Sequence, residues 1–258
     1  MVRGAGVDIA TTDHGGDGTP LLLTHGFGGD QSNLAPLVRR LSDSFRIVTF
    51  DMRNHGESGD GEWSWDAVIA DFAAVRDAYG MTRPIVAGHS LGGMVAEMFA
   101  AVHPNTRGVV NIDGHGRGHV RQYVGLDETT VKERQQRLVE WQETMTPADP
   151  PPRPTLEEVR KVTPLFDALD MFAVHAAVPC PMLIFNAHGD DPIGTLPDMG
   201  WVGELMRAYR TGLAADLDAL AATRPDVEIA HVEATHYLIF GEAQFVADRI
   251  VDFAARLN

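Results

Sequence analysis

Three shortages in the sequence each exclude a class of protein. One cysteine, Cys180, occurs in 258 residues, so no internal disulfide can form, which fits a reducing compartment. Cys180 precedes a predicted core strand, and we expect a buried, unreactive thiol. Cationic side chains are also scarce, since 21 Lys and Arg stand against 36 Asp and Glu. The formal net charge of −15 argues against nucleic-acid binding and favours neutral over anionic substrates.

Long apolar runs are the third shortage. No run approaches the length of a membrane span, and the N-terminal residues 1–4 lack the apolar core of a signal peptide. We therefore expect a cytoplasmic protein that does not bind membranes, while the sequence gives no indication of oligomeric state. The hydrophobic content of 44% is enough for one large domain, or for one domain with an insertion.

Strand patterns alternate with helix patterns along most of the chain, beginning with a predicted edge strand at residues 7–12. This alternation predicts an α/β protein with a mostly parallel sheet and helices on both faces. The alternation stops at about residue 120, where charged helical patterns flank a segment with five prolines at residues 146–154. We predict a core of residues 1–119 and 179–258 and a helical lid of residues 120–178.

A serine stands between an apolar strand pattern and a small-residue helix pattern, in the motif Gly88-x-Ser90-x-Gly92. A strand that turns sharply into a helix crowds its backbone, and small residues two positions before and after the corner relieve the crowding. The corner side chain is then held exposed near the helix N-terminus. The pattern predicts that Ser90 is a nucleophile, which needs a histidine base and a carboxylate to orient that base.

Three other loops carry polar residues at predicted strand ends. The loop at residues 25–30 is rich in glycine, but its spacing does not match a dinucleotide fingerprint, so we expect no nucleotide cofactor. In the next loop, Asp51 and Arg53 are expected to brace the backbone rather than to catalyse. His115 and His119 have the spacing of two metal ligands on a helix, but the glycines between them argue against a helix, and we predict no metal site.

Taken together, these motifs resemble the α/β-hydrolase family over nearly the whole chain, apart from residues 120–178. The resemblance includes the His25-Gly26-Phe27-Gly28 loop, the Ser90 corner and His236 after the last predicted strand. It implies an eight-stranded, mostly parallel sheet, with Ser90 as nucleophile and His236 as general base. It also implies an oxyanion hole formed by the backbone N–H groups of Phe27 and Leu91. We further expect Phe27, His89 and Trp141 to contact the substrate.

The carboxylate partner of the histidine has three candidates. The usual position in the family, counted from Pro181, is Asp190, and a slip of one residue would move it to Asp191. Asp113 is a further candidate, because some relatives, including haloalkane dehalogenases and cofactor-free ring-opening dioxygenases, place their acid after the preceding strand. We rank Asp190 first, Asp113 second and Asp191 third.

The resemblance implies hydrolysis of a carboxylic ester, thioester or lactone of a small hydrophobic substrate through an acyl-Ser90 intermediate, without a cofactor. The loop Asp51-x-Arg53-Asn54-His55-Gly56 is similar to that of a small-acyl esterase and thioesterase branch. Cleavage of a carbon–carbon bond by the same triad is one alternative. A cofactor-free dioxygenase that uses His236 and Asp113 as a base pair is another, and a ligand-binding protein with slow turnover is a third.

Overall fold

The structure is a computed structural model, and it describes residues 1–143, 153–190 and 192–257. Asp191 and most of the proline-rich segment lie outside these residues. The strands are β1 (Val2–Arg3), β2 (Asp8–Ile9), β3 (Thr11–Gly15), β4 (Thr19–Thr24), β5 (Phe45–Phe50), β6 (Ile85–His89), β7 (Gly108–Ile112), β8 (Met182–Ala187) and β9 (Val227–Val232). The α-helices are α1 (Ala35–Leu41), α2 (Trp65–Ala78), α3 (Leu91–Val102), α4 (Glu128–Glu143), α5 (Leu156–Asp167), α6 (Met171–Ala177), α7 (Gly200–Thr223), α8 (Leu238–Gly241) and α9 (Ala243–Arg256).

The main sheet is mostly parallel, as predicted, with the strand order β3-β5-β4-β6-β7-β8-β9. Among the described strands of this sheet, only β3 runs antiparallel to its neighbour, β5. In the described residues this sheet has seven strands, one fewer than expected, and β1 and β2 form a separate antiparallel pair. The predicted edge strand is interrupted at Ala10, whose N–H donates to Ser58 Oγ and whose carbonyl accepts from Asp51 N–H. Ala10 therefore connects β2 to β3 and does not continue either strand.

Two apolar layers cover the sheet because successive strand residues point to opposite faces. Leu22 of β4 and Val86 of β6 belong to the layer that includes side chains of α2, α3 and α7. Leu21 and Ile85, each one residue earlier, belong to the opposite layer with α1 and α9. Because both faces of these strands are covered by apolar side chains, the strands appear as continuous apolar runs in the sequence. The two layers hold the strands in place, and the carboxyl ends of the parallel strands form one edge of the sheet.

In the described part of the segment between β7 and β8, where the sequence predicted a helical insertion, the chain forms the helices α4, α5 and α6. α6 is fixed to α3 by a buried contact of 2.5 Å between His175 Nδ1 and Glu97 Oε2. The turn before α4 is fixed to α7 by a stacked pair of rings, Tyr123 and Tyr209, whose centroids lie 5.3 Å apart. The function of this segment as a lid stays a prediction. Among the described residues, no helix combines the length and the apolar composition needed to cross a bilayer.

Candidate active site

Ser90 occupies the corner between β6 and α3. Its backbone has φ 53° and ψ −120°, a region that residues with side chains rarely adopt and that costs on the order of 1–3 kcal/mol. The corner leaves no room for a side chain two residues before or two residues after the serine. A Cβ at Gly88 would lie 2.1 Å from the carbonyl carbon of Gly92, and a Cβ at Gly92 would lie 2.6 Å from the carbonyl oxygen of His25. The predicted crowding is therefore present, and it explains both glycines.

Phe27 and Leu91, whose backbone N–H groups are the predicted donors to an oxyanion, both line the cavity that Ser90 lines. Leu91 is the first residue of α3, where helical N–H groups have no partner within the helix. Within the described part of the chain, neither N–H donates a hydrogen bond. The two groups are therefore available to a ligand oxygen, while their role as an oxyanion hole stays a prediction.

His236 follows β9, and its ring bonds the carboxylate of Asp113. The Nδ1 atom of His236 lies 2.6 Å from Asp113 Oδ2. The other carboxylate oxygen accepts the backbone N–H of Ala187 at 2.8 Å and lies 3.3 Å from His115 Nε2. An ionised Asp113 requires the proton of a neutral His236 to reside on Nδ1, which leaves Nε2 as an acceptor.

The surroundings of Asp113 stabilise its ionised form. Burial alone would raise the pKa of this carboxyl, but hydrogen bonds from His115 and His236 outweigh burial and hold the pKa well below its usual range. Asp113 itself has φ 60°, which turns the chain sharply after β7. The carboxylate is therefore kept charged, buried and directed at His236.

The expectation that Asp190 bonds His236 is wrong for this structure. Asp190 follows β8, but its side chain is 72% exposed and pairs with Arg207 at 3.0 Å. The turn at Gly189 is packed tightly on the turn that precedes His236, since a Cβ at Gly189 would lie 2.8 Å from the backbone of Ala234. The second-ranked candidate, Asp113, makes the contact with His236. Asp191, ranked third, lies outside the described residues.

His89, a predicted substrate contact, lies outside the cavity lining. Its side chain is buried, and its Nε2 atom donates to the backbone oxygen of His236 at 2.8 Å. Burial lowers the pKa of His89 to about 4, and repulsion from His236 adds to this effect. The neutral ring of His89 thus fixes the loop that carries His236. His89 therefore contacts the loop of His236 and is not part of the cavity lining.

Trp141 and Phe27 were the other predicted substrate contacts. Among the described side chains of α4, Val139 lines the cavity, whereas Trp141 is half-buried and is not part of the lining. Two residues along a helix correspond to about 200° of rotation, so both side chains cannot face one cavity. Phe27 does line the cavity, and its ring meets that of Phe166 edge-to-face at 5.8 Å between centroids.

The other singled-out residues are structural. The carboxylate of Asp51 accepts backbone N–H groups from Gln31 at 2.7 Å and Glu57 at 2.9 Å. Arg53 forms a buried pair with Asp71 at 2.7 Å. The prediction that Asp51 and Arg53 brace their loop is therefore confirmed. Burial raises the pKa of the Cys180 thiol to about 11, in agreement with the unreactive thiol that the sequence predicted.

His115 and His119 have different partners, despite their helix-like spacing. His115 Nε2 lies 3.0 Å from the carbonyl oxygen of Phe185, so this nitrogen carries a proton. His119 is half-exposed, and its Nε2 atom lies 3.5 Å from Asp170 Oδ1. The two residues sit on a loop, and His115 supports Asp113.

Ser90 and His236 line a common cavity of about 720 Å³. Its walls are mainly apolar and come from α3, α5 and α7, with Met94, Leu156, Val159, Val162, Phe166, Met206 and Leu213 among them. Arg210 of α7 also lines the cavity, and the sequence analysis missed it. The available signal was an arginine flanked by Tyr209 and Leu213 in the apolar stripe of a predicted helix. The space fits a small, largely apolar substrate with polar groups near Ser90.

Comparison with known proteins agrees with this geometry. The sequence model of the Alpha/beta hydrolase family matches residues 21–249. A protein of Caulobacter segnis with the provisional name carbamate hydrolase RutD is 34% identical over 38% of the chain and 38% of its own length. Esterase YbfF of Escherichia coli is 28% identical over 46% of the chain and 50% of its own length. The chain thus matches about half or less of these relatives' lengths.

A solved structure matches the fold over a greater length. AqDC, which recognises the Pseudomonas quinolone signal and cleaves its ring, superposes with a TM-score of 0.67. The alignment covers 99% of each chain at 20% sequence identity. At this level of identity the likeness concerns the fold.

Proposed function

The chain belongs to the Alpha/beta hydrolase family, and on that premise we propose that it hydrolyses a carboxylic ester, thioester or lactone through an acyl-Ser90 intermediate. The observation that carries this proposal is the 2.6 Å contact between His236 and Asp113 at the cavity that Ser90 lines. A serine hydroxyl is a weak nucleophile, and a histidine held in one tautomer by a carboxylate is the group that activates it.

In the proposed reaction, His236 Nε2 takes the Ser90 proton as the serine oxygen attacks the carbonyl carbon. The N–H groups of Phe27 and Leu91 hold the oxyanion, and loss of one such donor typically lowers the rate by about 100- to 1,000-fold. His236 then protonates the leaving alcohol, thiol or lactone oxygen. A water molecule, deprotonated by His236, then attacks the acyl carbon; the bond from this carbon to the Ser90 oxygen breaks, and His236 returns the proton to that oxygen. Asp113 stays ionised and stabilises the imidazolium in both halves.

The helices α4 to α6 are proposed to act as a lid over this site. Support comes from α5, whose residues Val159, Val162 and Phe166 line the cavity, and the ring of Phe166 also contacts that of Phe27. Such a cover would exclude water from the ester before attack and would select the acyl or ring group.

The test is turnover of p-nitrophenyl and thioester substrates by wild type and by Ser90→Ala, with peptide mass spectrometry after rapid quenching. We expect ester cleavage by wild type, an acyl adduct on the peptide that contains Ser90, and loss of both in Ser90→Ala. Cleavage that persists in a folded Ser90→Ala protein would contradict the proposal.

A cofactor-free dioxygenase is the second candidate, because the acid partner of His236 follows β7 instead of β8. Its further support is the fold shared with AqDC, a ring-cleaving protein. In that reaction the His236–Asp113 pair would deprotonate a bicyclic hydroxyquinolone, and Ser90 would only position it. Oxygen uptake with such a substrate, retained in Ser90→Ala and lost in His236→Ala, would favour this candidate over hydrolysis.

A further inference from the structure

The charge of the cavity is opposite to the charge of the chain. The whole sequence carries a formal net charge of −15. Among the described residues that line the cavity, the charged side chains are three arginines and one carboxylate, namely Arg117, Arg160, Arg210 and Asp113. Surface acidity therefore does not describe the environment that a bound substrate meets.

Most of these charges already have partners within the protein. Both oxygens of Asp113 accept hydrogen bonds, as described above. Arg117 pairs with Asp167 at 3.0 Å, and both side chains are about half exposed. Arg160 is engaged in an interaction of its own. None of these groups demands an ionic ligand.

Arg210 differs from the other two arginines. It is 7% exposed, and its guanidinium donates a hydrogen bond to the carbonyl oxygen of Gly189. Within the described residues, no carboxylate forms an ion pair with it. A guanidinium stays charged in proteins, and an enclosed charge without a counter-ion is unfavourable. Because Arg210 faces the cavity, a ligand can supply the missing anion.

The position of Arg210 relates this charge to the catalytic groups. Gly189, which binds the guanidinium, donates its own N–H to the carbonyl oxygen of Ala234 at 2.8 Å. Ala234 precedes His236 by two residues, so Arg210 lies on the His236 side of the cavity. The remaining N–H groups of Arg210 form a planar donor set that suits a carboxylate.

We propose that Arg210 binds a free carboxylate of the substrate, so that the preferred substrates are esters, thioesters or lactones that carry a carboxylate elsewhere in the molecule. This inference rests on the proposed hydrolase function and names its substrate class. It reverses the preference for neutral substrates that the net charge of the chain suggested. A purely structural role, in which Arg210 only braces the Gly189 turn, predicts no preference for substrate charge.

The experiment compares two esters of nearly equal size. p-Nitrophenyl hydrogen adipate carries a carboxylate where p-nitrophenyl hexanoate carries a methyl group. The proteins are wild type, Arg210→Met, Arg210→Lys and the control Arg207→Met, which alters an exposed arginine of the same helix outside the cavity lining. The measured quantity is the ratio of kcat/KM for the anionic ester to kcat/KM for the neutral ester.

We expect wild type and Arg207→Met to prefer the anionic ester. Arg210→Met should lower the ratio by about 10- to 100-fold, which corresponds to one hydrogen-bonded charge pair. Arg210→Lys should retain part of the preference because it keeps the charge, and the loss should appear mainly in KM.

Three outcomes would overturn the inference. The first is a wild-type preference for the neutral ester, an outcome that is measured without any variant. The second is an equal loss on both esters in Arg210→Met, which would indicate a structural role. In both cases hydrolysis itself would stand. If wild type cleaves neither ester and forms no acyl-Ser90 adduct, the proposed function fails and the inference fails with it.

Discussion

The loops after β7 and β8 occupy similar places in the fold, but their aspartates have different surroundings. Both follow parallel strands, and each brings an aspartate to the same edge of the sheet, Asp113 after β7 and Asp190 after β8. Asp113 is 8% exposed and bonds His236, whereas Asp190 is 72% exposed and bonds Arg207. Strand order alone therefore does not decide which carboxylate meets the histidine.

Two asparagines account for part of the difference. Asn111 of β7 accepts the N–H of Gly114 at 2.7 Å and donates to the carbonyl oxygen of Gly114 at 2.8 Å, which closes the turn that holds Asp113. Asn186 of β8 instead faces the neighbouring strand, with its Nδ2 atom 3.1 Å from His231 Nδ1. The loop after β7 is hydrogen-bonded to its own strand through Asn111, whereas among the described residues Asn186 makes no such hydrogen bond to the loop after β8.

The largest expected effect separates the two aspartates. Asp113→Asn should lower kcat/KM for ester cleavage by about 10⁴-fold, because an amide in place of the carboxylate stabilises the wrong tautomer of the histidine. Asp190→Asn should change it by less than about threefold, as expected for an exposed side chain. Equal losses in the two variants, measured under the same conditions, would remove the distinction between the loops.

The next prediction concerns the two hydrogen bonds between Asn111 and Gly114. Asn111→Ala removes both hydrogen bonds to Gly114 and should lower kcat by about 10- to 100-fold through displacement of Asp113, with little change in KM. It also removes the donor that Asn111 gives to the buried Glu97 at 2.5 Å, so thermal unfolding must be measured beside activity. Asn186→Ala is the matched control. A folded Asn111→Ala protein with wild-type kcat would show that the hydrogen bonds between Asn111 and Gly114 do not position Asp113.

The contrast between buried and exposed groups extends to the histidines and predicts a loss of stability in acid. Burial is the largest cause that lowers the pKa of His25, His55 and His89 to about 4. The unfolded value is about 6.5, so the neutral rings stabilise the fold above that pH and the contribution is lost as pH falls towards 4. Between pH 7 and pH 5, each should reduce the free energy of unfolding by about 2 kcal/mol.

Urea unfolding at the two pH values measures this loss. His89→Asn should diminish the difference between pH 7 and pH 5, whereas His119→Gln, which alters a half-exposed ring, should leave it unchanged. A difference that is the same in wild type and His89→Asn would indicate that His89 is not protonated on unfolding in this range.

The smallest expected effect concerns the pair of Asp190 and Arg207. Because both side chains are more than half exposed, Asp190→Asn should change the free energy of unfolding by less than about 1 kcal/mol. Chemical denaturation at neutral pH, with Arg207→Met for comparison, checks this. A loss of several kcal/mol would mean that Asp190 is held more firmly than its exposure indicates.

The two loops also show which parts of the site could be predicted from the sequence and which could not. The glycine pattern around Ser90 and the position of His236 predicted their places, since both depend on local backbone geometry and on strand order. The choice between Asp113 and Asp190 depends on the φ of 60° at Asp113 and on side chains such as Asn111 and His115. Arg210 was missed for a similar reason, because its burial follows from how α7 packs on the turn at Gly189.

The most direct test of the central claim, that Asp113 is the acid partner of His236, is the rate at which a fluorophosphonate labels Ser90. Peptide mass spectrometry would follow labelling in wild type, Asp113→Asn and Asp190→Asn, without knowledge of the natural substrate. We predict rapid labelling of Ser90 in wild type and Asp190→Asn, and greatly slowed labelling in Asp113→Asn. Rapid labelling in folded Asp113→Asn together with slow labelling in Asp190→Asn would contradict the account.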